Sequence, residues 1–556
     1  MEKKENVKKR IIIVGGGAGG ASCAARLRRL DEKADILMLE RGPYVSYANC
    51  GLPYYIGGVI EKESSLFAAS EASFRDQFSI KVRTECDVVG ISAGNKTVDL
   101  KDLKTGAVTT ESYDSLVLSP GAAPIRPPLP GFDLPGVFTL RTVPDARAIR
   151  SWLSRSDLPG GKVRRAVVIG GGFIGLEMVE NLVHLGVDVT VIEKMNQVMP
   201  PLDPEIARLV QRRLEKNGVR VELRDGLAGL KQLANGSLEV TTESGQVYPA
   251  DIVISAVGVR PETGLAKMAG LTIGERGGIR VDDRLRTSDP NIFAVGDAVE
   301  VKDFVTGDWS LIPLAGPANR QGRIVADVIA GRDSRYRGTQ GTSICLVFGA
   351  AVASTGASEK TLVKKGDTDY EKIYLFPNSH ASYYPGATTL SMKVLFRKSN
   401  GLLLGAQVWG DDGVTKRIDA FAMAIQKGCT VYDLEESELS YAPPYGSAKD
   451  PVNFAGMVGA NILRGDTPTI HWNEVGNGFL LDVRNPEELA VESIPGALHI
   501  KLPELRGRLR ELPKDREILV FCRSGQRAHL ATRLLLQNGF KARNVSGGML
   551  SRAILN

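Results

Sequence analysis

Between residues 10 and 40 the chain reads RIIIVGGGAGGASCAARLRRL, then ADILMLE: a β-branched run, glycines, apolar residues at helical spacing, and a second apolar run ending in Glu40. The same order returns in VRRAVVIGGGFIGLEMVENLVHLGVDVTVIE, which ends in Glu193. Each segment predicts strand, glycine loop, helix and strand, a βαβ unit met twice. LVLSPGAAP and IVISAVGVRP predict strand-then-turn connections between the two units, and TSDPNIFAVGDAVE ends an apolar strand in Gly296-Asp297. From about Gly341 the texture becomes β-rich, as in SMKVLFRKSNGLLLGAQVWG, and predicts a separate α+β domain. The patterning loosens over 451–469, which predicts a linker. From Ile470 strands and helices alternate again, through GFLLDVRNPEEL, IPGALHI and REILVFCRSGQRAHLATRLLLQNGF.

Length and composition narrow the classes. A chain of 556 residues with 43% hydrophobic residues holds several domains with ample cores. The net charge of +6 is spread without a long basic block, which argues against a nucleic-acid partner. The charged start MEKKENVKKR has no apolar segment of signal-peptide length behind it, and no 18-residue apolar span predicts a membrane helix. Six scattered cysteines without a C-x-x-C make neither a disulfide framework nor a zinc site, and no metal is expected. A reducing, cytoplasmic setting fits best.

The two glycine loops carry the first chemistry. Gly15, Gly17 and Gly20, and again Gly170, Gly172 and Gly175, stand in G-x-G-x-x-G spacing. The first glycine permits the turn, the second lets a pyrophosphate approach the backbone, and the third lets helix and strand pack closely. Helix N-terminal N–H groups then meet the phosphates, while Glu40 and Glu193 stand where an acid bonds a ribose hydroxyl. Two such sites imply two dinucleotides, and a flavin with a nicotinamide is the natural pair. Asp297 is placed to bond a ribityl hydroxyl. Glu193 repels a 2′-phosphate and favours NADH, although Lys194 beside it could accommodate NADPH.

Two cysteines stand apart from the rest. Cys50 lies in SYANCGLPYY with no second cysteine near, so it is either a buried structural thiol or a nucleophile whose disulfide partner is brought by the substrate. Cys522 ends an apolar strand and opens a six-residue loop, Cys522 to Arg527, before a helix at Ala528. Successive N–H groups there make an anion nest that lowers a thiol pKa, and Arg523 and Arg527 add positive charge. A phosphatase loop shares this layout, because phosphate suits the same nest. Cys23, Cys86, Cys345 and Cys429 sit in apolar patterns and are expected in the core. His184 is expected to be structural.

Through the paired glycine loops, IFAVGDA and SYANCGLPYYIGG, the first 450 or so residues resemble the flavin-dependent pyridine nucleotide-disulfide oxidoreductases, in the single-cysteine coenzyme A-disulfide reductase branch. LLDVRNPEE, IPGALHI and CRSGQR resemble a rhodanese domain. The resemblance implies an α/β protein with two nested Rossmann-like domains. FAD-binding parts would occupy 1–120 and 251–335, an NAD(P)H-binding domain 121–250, an α+β dimerisation domain 336–455, a linker 456–469, and an α/β rhodanese domain 470–556. It implies FAD at Gly15, Gly17, Gly20, Glu40, Arg41, Gly296 and Asp297, NADH or NADPH at Gly170, Gly172, Gly175 and Glu193, and a homodimer. Coenzyme A would be recognised by Ser22, Arg26, Arg29, Ser46 and Asn49, with Asn319 and Lys449. Two tyrosines supplied by the partner subunit would map to Tyr383 and Tyr441, with Tyr384 and Tyr445 as close neighbours. Packed interface aromatics and a solvated basic helix face are the plain alternatives for the tyrosines and for Arg26 and Arg29.

These implications lead to an NAD(P)H-dependent reductase of coenzyme A persulfide, polysulfide or disulfide, in which Cys522 carries sulfane sulfur and Cys50 forms a mixed disulfide with coenzyme A. The alternatives are a flavin NADH oxidase or peroxidase cycling Cys50 through a sulfenic acid, and a sulfurtransferase whose flavin part only docks a partner.

Overall fold

The computed structural model describes residues 9–156 and 161–555. They divide into two compact units, one formed by the chain to Val198 with Gly218–Gly341, the other by Met199–Asn217 and the chain from Thr342 onward.

The first unit contains two parallel five-stranded sheets. One runs in the order Ile292–Ala294, Ser115–Leu118, Arg10–Val14, Asp35–Leu39 and Lys81–Arg83. The other runs Arg220–Leu223, Asp188–Glu193, Arg165–Ile169, Ile252–Ser255 and Val137–Thr139. The central strands are covered on both faces, which is why they read as unbroken β-branched runs: Ile11, Ile12 and Ile13 are fully buried. The chain leaves the first sheet through Ala122–Pro124 and returns through Val259–Pro261, two short strands paired antiparallel. Helix Ala18–Leu30 packs along helix Ala315–Ile329, and a Cβ on Gly322 would come within 2.1 Å of the Gly19 carbonyl oxygen. Only backbone fits at that crossing.

The second unit holds an antiparallel sheet in the order Ser343–Val347, Ala350–Gly356, Leu403–Gly410, Ser391–Phe396 and Glu371–Leu375. Helix Pro204–Lys216 groups with this unit. An ion cluster shows why. The ammonium of Lys393, 1% exposed on its strand, lies 3.0 Å from Asp203 Oδ2, 2.5 Å from Glu205 Oε1 and 2.5 Å from Glu359 Oε2. Those carboxylates are the one grouping of metal-ligand type among the described residues, and a lysine is bonded to all three.

The expected linker over 456–469 is mostly helix. Pro451–Leu463 is helical, capped by Asp450, whose side chain accepts from the Val452 N–H. Its small residues are demanded by contact: a Cβ on Gly456 would lie 2.2 Å from the Glu435 backbone nitrogen. Glycines needed for close packing blurred the helical pattern. Beyond it a parallel sheet runs Thr469–Ile470, Ala542–Val545, Ile518–Phe521, Phe479–Asp482 and Leu498–His499. Among the described residues no helix is long and apolar enough to cross a membrane.

Candidate active site

Both glycine loops are built alike. Gly15 has φ +96° and Gly170 φ +102°, and a Cβ on either would lie 2.1 or 2.4 Å from a carbonyl oxygen, of Ser119 or Ala256. A Cβ on Gly20 or Gly175 would come within 2.0 Å of the Gly15 or Gly170 carbonyl oxygen. At Gly17 and Gly172, by contrast, a Cβ would meet nothing within 4 Å. These two glycines cap the helices Ala18–Leu30 and Phe173–His184, and neither helix has a side-chain cap at its N-terminus. Open space in front of uncapped helix N–H groups is what a pyrophosphate requires, so the residues fit two dinucleotides.

The acids at the strand ends are held by backbone. Glu40 accepts from the N–H groups of Gly16 and Gly42, each at 2.8 Å. Glu193 accepts from Gly171 at 2.7 Å and Met195 at 2.8 Å. Lys194 reaches out to Glu243, 2.8 Å away. Gly296 has φ +79° and donates to Gln321 Oε1 at 2.7 Å, while burial pushes the neighbouring Asp297 carboxyl above its ordinary range. Arg41 is exposed and paired with Asp87 and Glu262.

Cys50 stands in the turn Asn49–Gly51, immediately before the short helix Leu52–Ile56, and its thiol is exposed. Shielding by surrounding protein pushes this thiol up, and the negative charges of Glu177 and Asp297 push it further. Ser46, with φ +51°, donates from its backbone to the Gly16 carbonyl at 2.9 Å, tying the cysteine loop to the first glycine loop. Asn49 donates to the Arg141 carbonyl at 3.2 Å. Ser22 donates its hydroxyl to Asn319, bringing two of the expected coenzyme A residues together. Arg26 is not available in the same way. It is ion-paired at 2.8 Å with Asp327 on the neighbouring helix, leaving Arg29 as the exposed cation of that face.

Glu177 and Arg141 escaped sequence reasoning. Burial pushes the Glu177 carboxyl up to about 7. It lies 3.4 Å from the Tyr54 hydroxyl, so the helix after Cys50 touches the helix that follows the second glycine loop. Arg141 counters the burial of Asp297. A charged residue inside the apolar pattern of the second βαβ helix was the one available signal for Glu177.

In the second unit Tyr383 and Tyr441 are exposed by 73% and 48%, with their hydroxyls 2.8 Å apart. That bond pushes the Tyr383 phenol up. Tyr384 instead packs edge-on against His380, and Tyr445 is exposed. Lys449 is exposed.

Cys522 is 1% exposed and accepts a hydrogen bond from the Gly525 N–H at 3.2 Å. Gly525, with φ +92°, caps helix Gln526–Gln537, which therefore begins two residues before the expected Ala528. Arg527 holds Glu488 with two bonds of 2.6 and 2.7 Å, and the nearby Cys522 raises its pKa further, so its charge is shared between carboxylate and sulfur. Arg523 is exposed. Cys23, Cys86 and Cys345 are buried and Cys429 is half-buried, and all six cysteines are free thiols.

Comparison with known proteins agrees with this geometry. Residues 9–322 match the family described as pyridine nucleotide-disulphide oxidoreductase, 342–450 its dimerisation domain, and 467–551 the rhodanese-like domain. The coenzyme A disulfide reductase of Staphylococcus aureus (strain bovine RF122 / ET3-1) is 35% identical over 437 residues, 78% of this chain and 96% of that protein. The structure of reduced Bacillus anthracis CoADR-RHD is 48% identical and superposes with a TM-score of 0.95 over 99% of this chain and 98% of that one. A NAD-dependent persulfide reductase from A. fulgidus is 38% identical, with a TM-score of 0.89 over 98% of this chain and 99% of that one.

Proposed function

Because the chain belongs to the pyridine nucleotide-disulphide oxidoreductase family, in the coenzyme A disulfide reductase branch and with a rhodanese-like domain, we propose that it is an FAD-dependent, NADH-oxidising reductase of coenzyme A persulfide, polysulfide and coenzyme A disulfide. The observation that carries this reading is a solitary exposed thiol, Cys50, in a loop bonded to the first glycine loop and touching, through Tyr54, the helix of the second. With no second cysteine in the loop, the other half of any disulfide at Cys50 comes from the substrate.

The chemistry follows from that pairing. The Cys50 thiolate attacks the coenzyme-side sulfur of a coenzyme A persulfide, the S–S bond breaks, hydrosulfide leaves, and Cys50 is joined to coenzyme A. With coenzyme A disulfide the leaving group is coenzyme A thiolate. FAD, when bound, supplies the two electrons taken from NADH that split the mixed disulfide into two thiols. Gly17 and Gly172 leave open space where the two pyrophosphates would lie, and Glu40 and Glu193, at the ends of their strands, would bond the ribose hydroxyls. Ser22 with Asn319, Arg29, Ser46, Asn49 and Lys449 would recognise coenzyme A, with Arg26 supporting that face from its ion pair. Tyr383 and Tyr441 would serve Cys50 of the partner subunit in a homodimer, donating to the departing thiolate.

Cys522 would accept sulfane sulfur as a persulfide and hand it to the coenzyme A thiol, making the substrate for Cys50. The Gly525 N–H and the Arg527 charge suit an anionic sulfur. A sulfur carrier gives no advantage to a plain disulfide reductase, so persulfide and polysulfide are the favoured substrates. Six free thiols suit a reducing, cytoplasmic setting.

The test is anaerobic NADH oxidation against coenzyme A persulfide, coenzyme A disulfide and polysulfide, and separately against oxygen and peroxide, with Cys50→Ser and Cys522→Ser beside wild type. Sulfide release and coenzyme A disulfide turnover should vanish in Cys50→Ser. Cys522→Ser should keep coenzyme A disulfide turnover and lose thiosulfate:cyanide sulfur transfer. Undiminished sulfide release in Cys50→Ser would overturn the reading.

A further inference from the structure

The loops that carry the exposed phenols of Tyr383 and Tyr441 are joined by a hydrogen-bonded scaffold. Tyr383 lies in a tight turn after Ser379, and the buried His380 spans that turn. His380 Nε2 lies 3.2 Å from the Pro385 carbonyl oxygen, and its Nδ1 lies 3.1 Å from Ser379 Oγ and 3.5 Å from Asp412 Oδ2. Ser379 Oγ in turn accepts from the Thr388 N–H at 3.2 Å, closing the neck of the turn. The His380 ring also packs edge-on against Tyr384. One imidazole thus bridges both ends of the turn that presents Tyr383.

The other phenol is anchored from beneath the same surface. The Ala381 N–H donates to the Gly446 carbonyl at 3.0 Å, joining the two tyrosine loops through backbone. Lys416 donates to the Ser440 carbonyl, next to Tyr441, at 3.0 Å. Lys416 shares Asp450 with the fully buried Arg417, whose Nη2 lies 2.9 Å from that carboxylate. Long exposed side chains lose rotamer freedom when fixed. The two phenols, at 73% and 48% exposure, lie 2.8 Å apart on loops that these bonds join.

We propose that His380 is a positioning residue, holding the Tyr383 turn so that its phenol meets Tyr441 and the two hydroxyls act on the reacting sulfur as one hydrogen-bonding pair. The proposal rests on the reading that these phenols assist the departing thiolate. In its neutral form the imidazole donates from Nε2 to the Pro385 carbonyl and accepts at Nδ1 from the Ser379 hydroxyl. A glutamine amide reaches Pro385 but offers nothing at the Nδ1 position to Ser379, so it cannot hold both partners. When the turn relaxes, Tyr383 is lost to Tyr441 although both tyrosines remain.

The experiment is a double-mutant cycle on the full-length holoenzyme, comparing His380→Gln, Tyr383→Phe and the double variant. The readouts are kcat and KM for coenzyme A disulfide, and NADH oxidation with a quinone acceptor that bypasses Cys50. Losing one hydrogen bond to a developing charge costs about 10-fold. Both single variants should therefore lose about 10-fold in kcat with little change in KM, the double variant should lose no more than either, and quinone reduction should be unchanged. A purely structural role for His380 would multiply with the Tyr383 effect and lower quinone reduction as well, and either result overturns the proposal. A loss in Tyr383→Phe with full activity in His380→Gln overturns it alone. Full activity in Tyr383→Phe overturns the reading of the phenol pair together with it. Should His380→Gln not fold, Ser379→Ala tests the same bridge, and unchanged kcat there also overturns the proposal.

Discussion

The Tyr54 hydroxyl lies 3.4 Å from Glu177 Oε1, which places a half-buried carboxylate of the second βαβ helix beside the loop that carries Cys50. Its charge is felt there, since Glu177 is one of two acids that push the Cys50 thiol up. The Glu177 carboxyl itself titrates near neutrality, at about 7. Below that pH it is protonated and adds no negative charge against the thiolate. Above it, the negative charge opposes formation of the thiolate.

Glu177→Gln removes this opposition at every pH. The midpoint for alkylation of Cys50 by iodoacetamide, followed by mass spectrometry of its peptide, should fall by about half a pH unit or more. Burial and Asp297 remain, so the thiol stays above its ordinary value. An unchanged or higher midpoint would show that the two groups are not coupled.

The ion pair of Lys194 with Glu243 bears on the choice of nicotinamide nucleotide. Lys194 is the cation next to Glu193, and Glu243 neutralises it at 2.8 Å across an exposed surface. Exposed pairs of this kind are worth about 0.2–1 kcal/mol. Glu243→Gln should therefore raise kcat/KM for NADPH relative to NADH by about two- to five-fold and leave NADH turnover near wild type. No rise in the NADPH ratio would mean that Lys194 does not face the 2′ position.

The two ends of the first glycine loop respond oppositely to a methyl group. A Cβ on Gly17 projects into open space, whereas on Gly20 it meets the Gly15 carbonyl oxygen at 2.0 Å. Gly17→Ala should fold with unchanged thermal stability in the FAD-free state but bind FAD more weakly. Gly20→Ala should yield little folded protein, because backbone on both sides must shift. Equal melting temperatures for the two apoproteins would contradict this division.

What could be read from the sequence, and what could not, follows the range of the signal. Gly15, Gly17, Gly20 and Glu40 form one site within a short stretch of chain, so spacing alone reveals it. Arg26 looked free on its helix, yet its partner Asp327 is 301 residues away. Glu177 acquires meaning only when Tyr54, 123 residues earlier, folds against it. Pro451–Leu463 read as a linker because Gly456 and Gly459 broke its apolar stripe, and their reason is contact with Glu435 and Val431. Gln526 read as loop because nothing local announces the left-handed Gly525 that starts the helix there.

Lys393 offers a test of the second unit's stability with a definite pH signature. Its ammonium is buried among Asp203, Glu205 and Glu359, and although burial works against it, Lys393 holds Glu205 below its ordinary value and, with help from Lys372, Glu359 at about 2. A carboxyl depressed in the folded state stabilises above its unfolded pKa, and that contribution is lost as pH falls toward the folded value. Wild type should therefore lose stability progressively between about pH 4.5 and 2. Lys393→Met leaves three carboxylates buried without their central cation, which should cost about 3–5 kcal/mol near neutral pH. In the variant burial dominates, the carboxyls titrate at higher pH, and protonation relieves the penalty. Its melting temperature should rise on mild acidification while that of wild type does not, so the gap between the two narrows. A gap that stays constant or widens from pH 7 to 5 would show that the cluster is not electrostatically held.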